Sequence, residues 1–294
     1  MKTIVIQSRK GGSGKTSTVN ALGCGLALRG YKVLIIDLDA QKNLSTSLLG
    51  ANIPEITMYD VLTGAATLNK AIVPIRVEGP DENGNTIADG DSNLWLGASC
   101  TKMDLLDGVI AADPAKSMRK NVLLYEALKP LRDNDFFDYC LIDTPNSLGT
   151  CTTNAMMAAD YCLITVKAAV FSEEGTVHLM EKLDEVREYK QEYMGGKDII
   201  PIGLLITQYK TGTNTGALIA EEFGDYAKEL DTKKYDVKIR DCIHIEDAYR
   251  HITNIFIDNP KSNVAIDYNK FVEEFIKREK ASERKAKRNA KKGD

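Results

Sequence analysis

Long apolar runs are missing from this sequence. No window of its 294 residues approaches the ~18 uninterrupted apolar residues that a membrane-crossing helix needs, so no bilayer span is expected. No signal peptide opens the chain either, because Met1-Lys2 leads straight into a short apolar stretch and then glycines. Paired cysteines are also missing. Cys24, Cys100, Cys140, Cys151, Cys162 and Cys242 form no C-x-x-C pair, and no histidine lies near two of them. Three of these sit in apolar runs, where a free thiol behaves as a small hydrophobe. A reduced, cytoplasmic protein is the expectation. A strong overall charge is absent too: the formal net charge is −4, which excludes a uniformly basic nucleic-acid protein. There is no internal repeat.

What is present is an ordinary globular mixture, 43% hydrophobic and 27% charged, enough to build a core without disulfides or a structural metal. The length suits one large α/β domain or two small ones. Charge is unevenly placed. Residues 277–294 carry nine Lys/Arg against three acids, which leaves the body before them at about −10. The tail 277–292 offers only alanine as an apolar residue, so it is expected to stay outside any core, helical or disordered.

Short, nearly continuous apolar runs recur at α/β spacing: Thr3–Gln7, Lys32–Asp37, Asn93–Ala98, Tyr139–Asp143, Tyr161–Val166, Ile199–Thr207 and Tyr235–Ile239. Runs of this kind are strands buried on both faces. Between them, Thr16–Arg29, Ser117–Leu131, Ser172–Met194 and Asn214–Leu230 read as helices, the first stopped by Gly30. The alternation predicts an α/β fold, a mostly parallel twisted sheet with helices on both faces. Residues 76–92 form a polar insert with an Asn83-Gly84 hairpin signal, read as a solvated surface hairpin.

The segment Lys10-Gly11-Gly12-Ser13-Gly14-Lys15-Thr16-Ser17 follows the first strand and opens a helix. The glycines let successive N–H groups turn toward phosphate oxygens, and the helix N-terminus adds its positive dipole end. Lys15 brings a full charge to the β/γ-phosphates, and the Thr16 hydroxyl suits Mg2+. The strict G-x-x-x-x-G-K-[ST] pattern is not met, since its first glycine falls on Arg9, and an extra lysine stands at Lys10. Two further acidic strand ends follow. One is Asp37-Leu38-Asp39-Ala40-Gln41-Lys42-Asn43. The other is Asp143 in Ile142-Asp143-Thr144-Pro145-Asn146-Ser147-Leu148-Gly149, where a carboxylate can hold a Mg2+-bound water.

The loop with its extra lysine resembles the deviant phosphate loop of the ParA/MinD group. The segments at Asp37 and Asp143 resemble its switch and Walker B stretches, with Ala40 and Asn146 in place of usual prolines. Residues 2 to about 276 resemble a ParA-type DNA-partitioning ATPase in its short, Soj-like form, which would carry no sequence-specific repressor region. The resemblance implies a P-loop ATPase with ATP and Mg2+ as ligands, and a homodimer formed on Mg-ATP. It makes Lys10 a residue that reaches the partner's phosphates, Asp39 the residue that positions the attacking water, and Asp37 a support of the Mg2+ shell. It also implies non-specific DNA binding, nucleoid association and a ParB-like centromere-binding partner. Arg240 matches a family arginine for DNA; another falls on Gly212, with Lys210 nearby. Charge alone adds Arg284, Lys285, Lys287 and Arg288 of the tail. Adenine contacts are implied at Thr207–Tyr209 and Lys238–Asp241. A MinD-like switch that positions a cellular machine is the alternative. The missing Leu, Ile, Phe or Trp after Ile276 argues against a MinD-type membrane helix.

Overall fold

Each of the seven apolar runs is a strand in the computed structural model, which describes residues 1–8, 11–81, 83–88, 92–168, 173–210 and 223–290. In chain order they are β1 (Lys2–Gln7), β2 (Val33–Asp37), β4 (Leu94–Gly97), β5 (Tyr139–Asp143), β6 (Tyr161–Lys167), β7 (Ile200–Tyr209) and β8 (Lys234–Arg240); a further strand, β3 (Ile72–Pro74), was not expected. The sheet order is β3-β4-β2-β5-β1-β6-β7-β8. All neighbours are parallel except β3, which runs antiparallel to β4 at the edge. Three residues ending in Pro74 give too little pattern to read, and the missing proline N–H is tolerated there because an edge strand needs fewer ladder bonds.

Period-two alternation divides the central strands between two cores. Val5, Leu34, Ile36 and Ile142 face one way, toward Leu124, Leu128, Met156 and Leu183. Ile4, Ile6, Ile35 and Leu141 face the other, toward Val19, Leu22, Phe271 and Phe275. Each fully buried side chain of this kind contributes about 1.5–3 kcal/mol. The first core is covered by α7 (Leu123–Asp133), α8 (Thr150–Ala158) and α9 (Glu173–Tyr193), the second by α1 (Lys15–Ala27) and α13 (Asn263–Ala290). Two glycines allow α1 to lie this close. A Cβ at Gly23 would meet Ile35 Cδ1 at 2.8 Å, and one at Gly25 would meet Val272 Cγ2 at 2.7 Å.

The remaining helices are α2 (Asn43–Leu49), α3 (Met58–Leu62), α4 (Leu68–Ala71), α5 (Leu106–Ala112), α6 (Pro114–Met118), α10 (223–229), α11 (His244–Arg250) and α12 (Ile255–Asp258). The helix expected over Ser117–Leu131 is instead two. Asp113 caps α6 by accepting from Ala115 and Lys116 N–H, and the chain unwinds before α7. Asn154 of α8 stabilises the break, accepting from Leu124 N–H at 3.1 Å and donating to Lys120 C=O. Of the helix expected over Asn214–Leu230, residues 211–222 lie outside the described residues and 223–229 are helical. The insert turns at Gly84 (φ 80°) and closes through an Ile75–Ile87 bridge and an Arg76 N–H to Thr86 C=O bond. Its base is packed, since Asn254 donates to Val77 C=O. Helix α13 runs unbroken across residue 276 into the basic segment, and the start of that segment, expected to stay outside the core, packs on the body: Glu279 is buried against Lys2, and Arg278 donates to Lys234 C=O.

Candidate functional site

The carboxyl end of β1 opens at the middle of the sheet, and the phosphate loop fills that opening. Gly12 and Gly14 take φ of 70° and 76°, a left-handed conformation that favours glycine. The loop is held from behind by β7. The Thr207 hydroxyl donates to Ser13 C=O at 2.8 Å, and Gln208 Nε2 donates to Gly12 C=O. Lys15, the first residue of α1, is 6% exposed. Its Nζ donates to Ser8 Oγ at 3.1 Å and to Asn146 Oδ1. Burial lowers its pKa, while Asp143 and Asp39 oppose that shift. Gly11, Thr16 and Ser17 complete the loop; Lys10 lies outside the described residues.

Opposite the lysine stand the acids. β2 and β5 are in register so that Asp37 and Asp143 are paired neighbours, both buried. Asp143 Oδ2 accepts from the Thr16 hydroxyl at 2.8 Å, while its Oδ1 is buried without a hydrogen-bond partner. Burial, reinforced by Asp37, pushes Asp143 up to about 8. Burial likewise raises Asp37 to about 6, against the bonds it accepts. Asp37 uses both oxygens locally: Oδ1 accepts from Asp39 N–H at 3.0 Å, and Oδ2 from the Ser45 N–H and hydroxyl at 2.9 and 2.7 Å. Asp39 lies half-buried beyond it, and its Oδ1 accepts from Gln41 N–H.

This donor set fits magnesium. An orphaned buried carboxylate oxygen, a hydroxyl on the same carboxylate and mutual repulsion among three acids all favour a hard cation. Among the described residues no cluster of three or more His, Cys, Asp or Glu could hold a metal unaided. The ion would therefore complete its shell with water and phosphate oxygens, as Mg2+ commonly does.

A cleft of about 610 Å3 extends from the loop, a size ordinary for a small-molecule site. Of the residues expected around the base, Thr207, Gln208, Ile239, Arg240 and Asp241 line it; Lys238 instead sits over the Tyr209 ring, 4.5 Å from its centroid. Cys242, Ile245, Glu246 and Tyr249 of the α11 region and Tyr268 of α13 also line the cleft. The sequence carried no signal for them, nor for the Asn146 contact with Lys15.

The expected DNA residues are spread apart. Lys210 is exposed at the end of β7. Arg240 is paired with Asp267, through Nε and a terminal nitrogen at 2.7 Å each, and donates to Asn263 C=O. Arg284 is exposed on α13, and the helix continues through Lys285, Lys287 and Arg288.

A family model for an AAA domain matches residues 1–195. The chromosome partitioning protein ParA of Caulobacter vibrioides is 30% identical over 291 residues, covering 97% of this chain and 98% of that protein. The sporulation initiation inhibitor protein Soj of Bacillus subtilis is 30% identical over 269 residues, covering 91% and 95%. Among solved structures, the Pyrococcus furiosus cell division ATPase MinD superposes with a TM-score of 0.67 at 25% identity, covering 94% and 98%. Cobyrinic acid a,c-diamide synthase from Mycobacterium smegmatis, with bound ADP and magnesium, gives 0.70 at 22% identity over 96% of each chain, a likeness of fold. With its sheet order, its phosphate loop after β1 and near full-length similarity to ParA and Soj, this chain belongs to the ParA family of P-loop ATPases.

Proposed function

We propose that the protein is a DNA-partitioning ATPase that moves on and off DNA as its nucleotide changes. The observation that carries this reading is the convergence of Lys15, Thr16 and Asp39 on one cleft, with Asp143 bonded to Thr16 behind it, in a chain of this family. Bound Mg-ATP supplies the γ-phosphoryl group to be transferred to water. The N–H groups of Gly11, Gly12, Ser13 and Gly14 cradle phosphate oxygens, Lys15 exchanges its Ser8 and Asn146 partners for the β/γ-phosphates, and Ser17 extends the cradle. Thr16 and Asp143 hold the metal shell, while Asp37 acts at one remove by fixing the loop that carries Asp39. Asp39 orients the attacking water. Lys10 serves the second subunit of a homodimer formed on Mg-ATP, where a cation in trans offsets developing charge.

The body 1–276 acts as the ATPase, and 277–294 as a basic arm carried on α13. Arg284, Lys285, Lys287 and Arg288 supply most phosphate contacts, with Lys210 contributing separately from the end of β7. Arg240 contributes less because Asp267 already occupies it. A ParB-like centromere-binding protein stimulates hydrolysis, and the ATP form resides on the nucleoid. MinD-like positioning of a cellular machine is the second reading, favoured by the full-length likeness to MinD.

A gel-shift assay on DNA of arbitrary sequence separates the two. Retention is expected with Mg-ATP and not with ADP, weakening by roughly 0.9 log units per log salt for each phosphate contact. Deleting 284–294, which leaves Arg278, Glu279 and Glu283 in place, should keep basal ATPase and lower both affinity and salt slope. No ATP-dependent retention at low salt would overturn the partitioning reading.

A further inference from the structure

Two serines outside every motif close a ring around Asp39. Ser45 lies in the first turn of α2, and Ser99 follows the end of β4; both are completely buried. Ser45 Oγ donates to Asp37 Oδ2 at 2.7 Å and accepts from Ser99 N–H at 2.8 Å. Ser99 Oγ donates to Asp39 C=O at 2.7 Å, and Asp39 N–H returns to Asp37 Oδ1 at 3.0 Å. The main chain of Asp39 is thus gripped on both sides of its Cα.

We propose that Ser99 and Ser45 are positioning residues for ATP hydrolysis, holding the Asp39 main chain by a closed hydrogen-bond ring across β2, α2 and β4. Every bond of the ring runs between groups of the chain itself, so no ligand atom is needed to hold the Asp39 main chain in place. Pre-set geometry of this kind matters because a misplacement of about 1 Å at a reacting group costs on the order of 100-fold in rate. Buried hydroxyls are costly unless bonded, and here each is spent on the segment that carries one functional carboxylate. The proposal rests on Asp39 as the water-orienting residue.

The test uses Ser99→Cys, which keeps the shape but donates weakly, and Ser99→Ala, which removes the donor. Both should keep Mg-ATP affinity, which also reports correct folding, and lose roughly tenfold in kcat with KM little changed. In nucleotide-free protein, amide exchange in the peptide spanning residues 38–46 should speed up roughly tenfold while the peptides of β5 stay protected. Combined with Asp39→Ala, Ser99→Ala should add no further loss of turnover. Unchanged kcat and exchange in both variants would overturn the proposal. So would a rise in KM at constant kcat, or a full second loss in the Asp39→Ala background. If Asp39→Ala alone leaves turnover intact, the Asp39 reading fails, while the exchange result still reports on the ring.

Discussion

The two ends of the sheet use buried charge in opposite ways. At the amino ends of the strands, charges close the fold. Lys2 binds both Glu279 and Glu283 of α13, Arg132 donates to Ala158 C=O and the Thr3 hydroxyl, and Lys190 donates to Ala159 C=O. Arg278 ties α13 to Lys234 C=O and covers the Tyr235 ring. At the carboxyl ends, charge is left incomplete. Asp143 keeps an unpartnered oxygen, burial raises the pKa of both Asp37 and Asp143, and Lys15 rests on neutral partners. Charges that tie one element of the chain to another make structure; those left for a ligand make a site.

The contrast predicts that removing a charge at the carboxyl end costs binding or turnover, while removing one at the amino end costs only stability. The largest effect should come from Lys15→Ala. Losing the buried cation opposite the β/γ-phosphates should weaken Mg-ATP by roughly 1000-fold in a calorimetric titration. Equal affinity in the variant would erase the distinction between the ends. Asp39→Ala comes next, with turnover down roughly 100-fold and Mg-ATP binding retained; single-turnover hydrolysis at the wild-type rate would remove Asp39 from the chemistry.

Lys190 sharpens the comparison through pH. Burial lowers its pKa to about 8, against the pull of Asp160 and Asp198 and with help from Arg132 and Lys197. Below that value the lysine is charged in both the folded and unfolded chain. Between about 8 and 10.5 the unfolded chain holds the proton that the folded one has lost, so stability rises with pH in that window. Relative to Lys190→Met, the wild type should gain up to about 3 kcal/mol across it, read by urea unfolding at the two limits. A constant difference would show that Lys190 stays charged. The smallest effect belongs to Lys2→Ala. It should cost about 1 kcal/mol of stability, screened by salt, with Mg-ATP affinity unaltered. A fall in affinity would mean that α13 couples the two ends.

The main strands and the phosphate loop were legible because their signals are contiguous. Buried parallel strands read as apolar runs, and a loop that must turn tightly onto phosphate needs glycines next to a lysine and a hydroxyl. The placement of Asp37 and Asp143 followed from their positions at strand ends. The direct partners of Asp37 did not, because Ser45 stands eight residues on in an unremarkable helix turn. The helix over Ser117–Leu131 was misread because its break depends on Asn154, 30 residues beyond Leu124.

The sequence by itself determined the family, the α/β alternation of the seven main strands, and the place of the glycine- and lysine-rich loop after β1. Those features are written in local periodicity and in motifs a few residues long. Only the tertiary structure decided that Asn146 receives Lys15, that Arg240 is already paired with Asp267, and that α11 walls the cleft. It also joined Ser99 to Ser45 and Asp39, 54 and 60 residues away. The reason is geometric: parallel strands adjacent in space are distant in sequence, so hydrogen bonds between their ends leave no periodic trace in the chain.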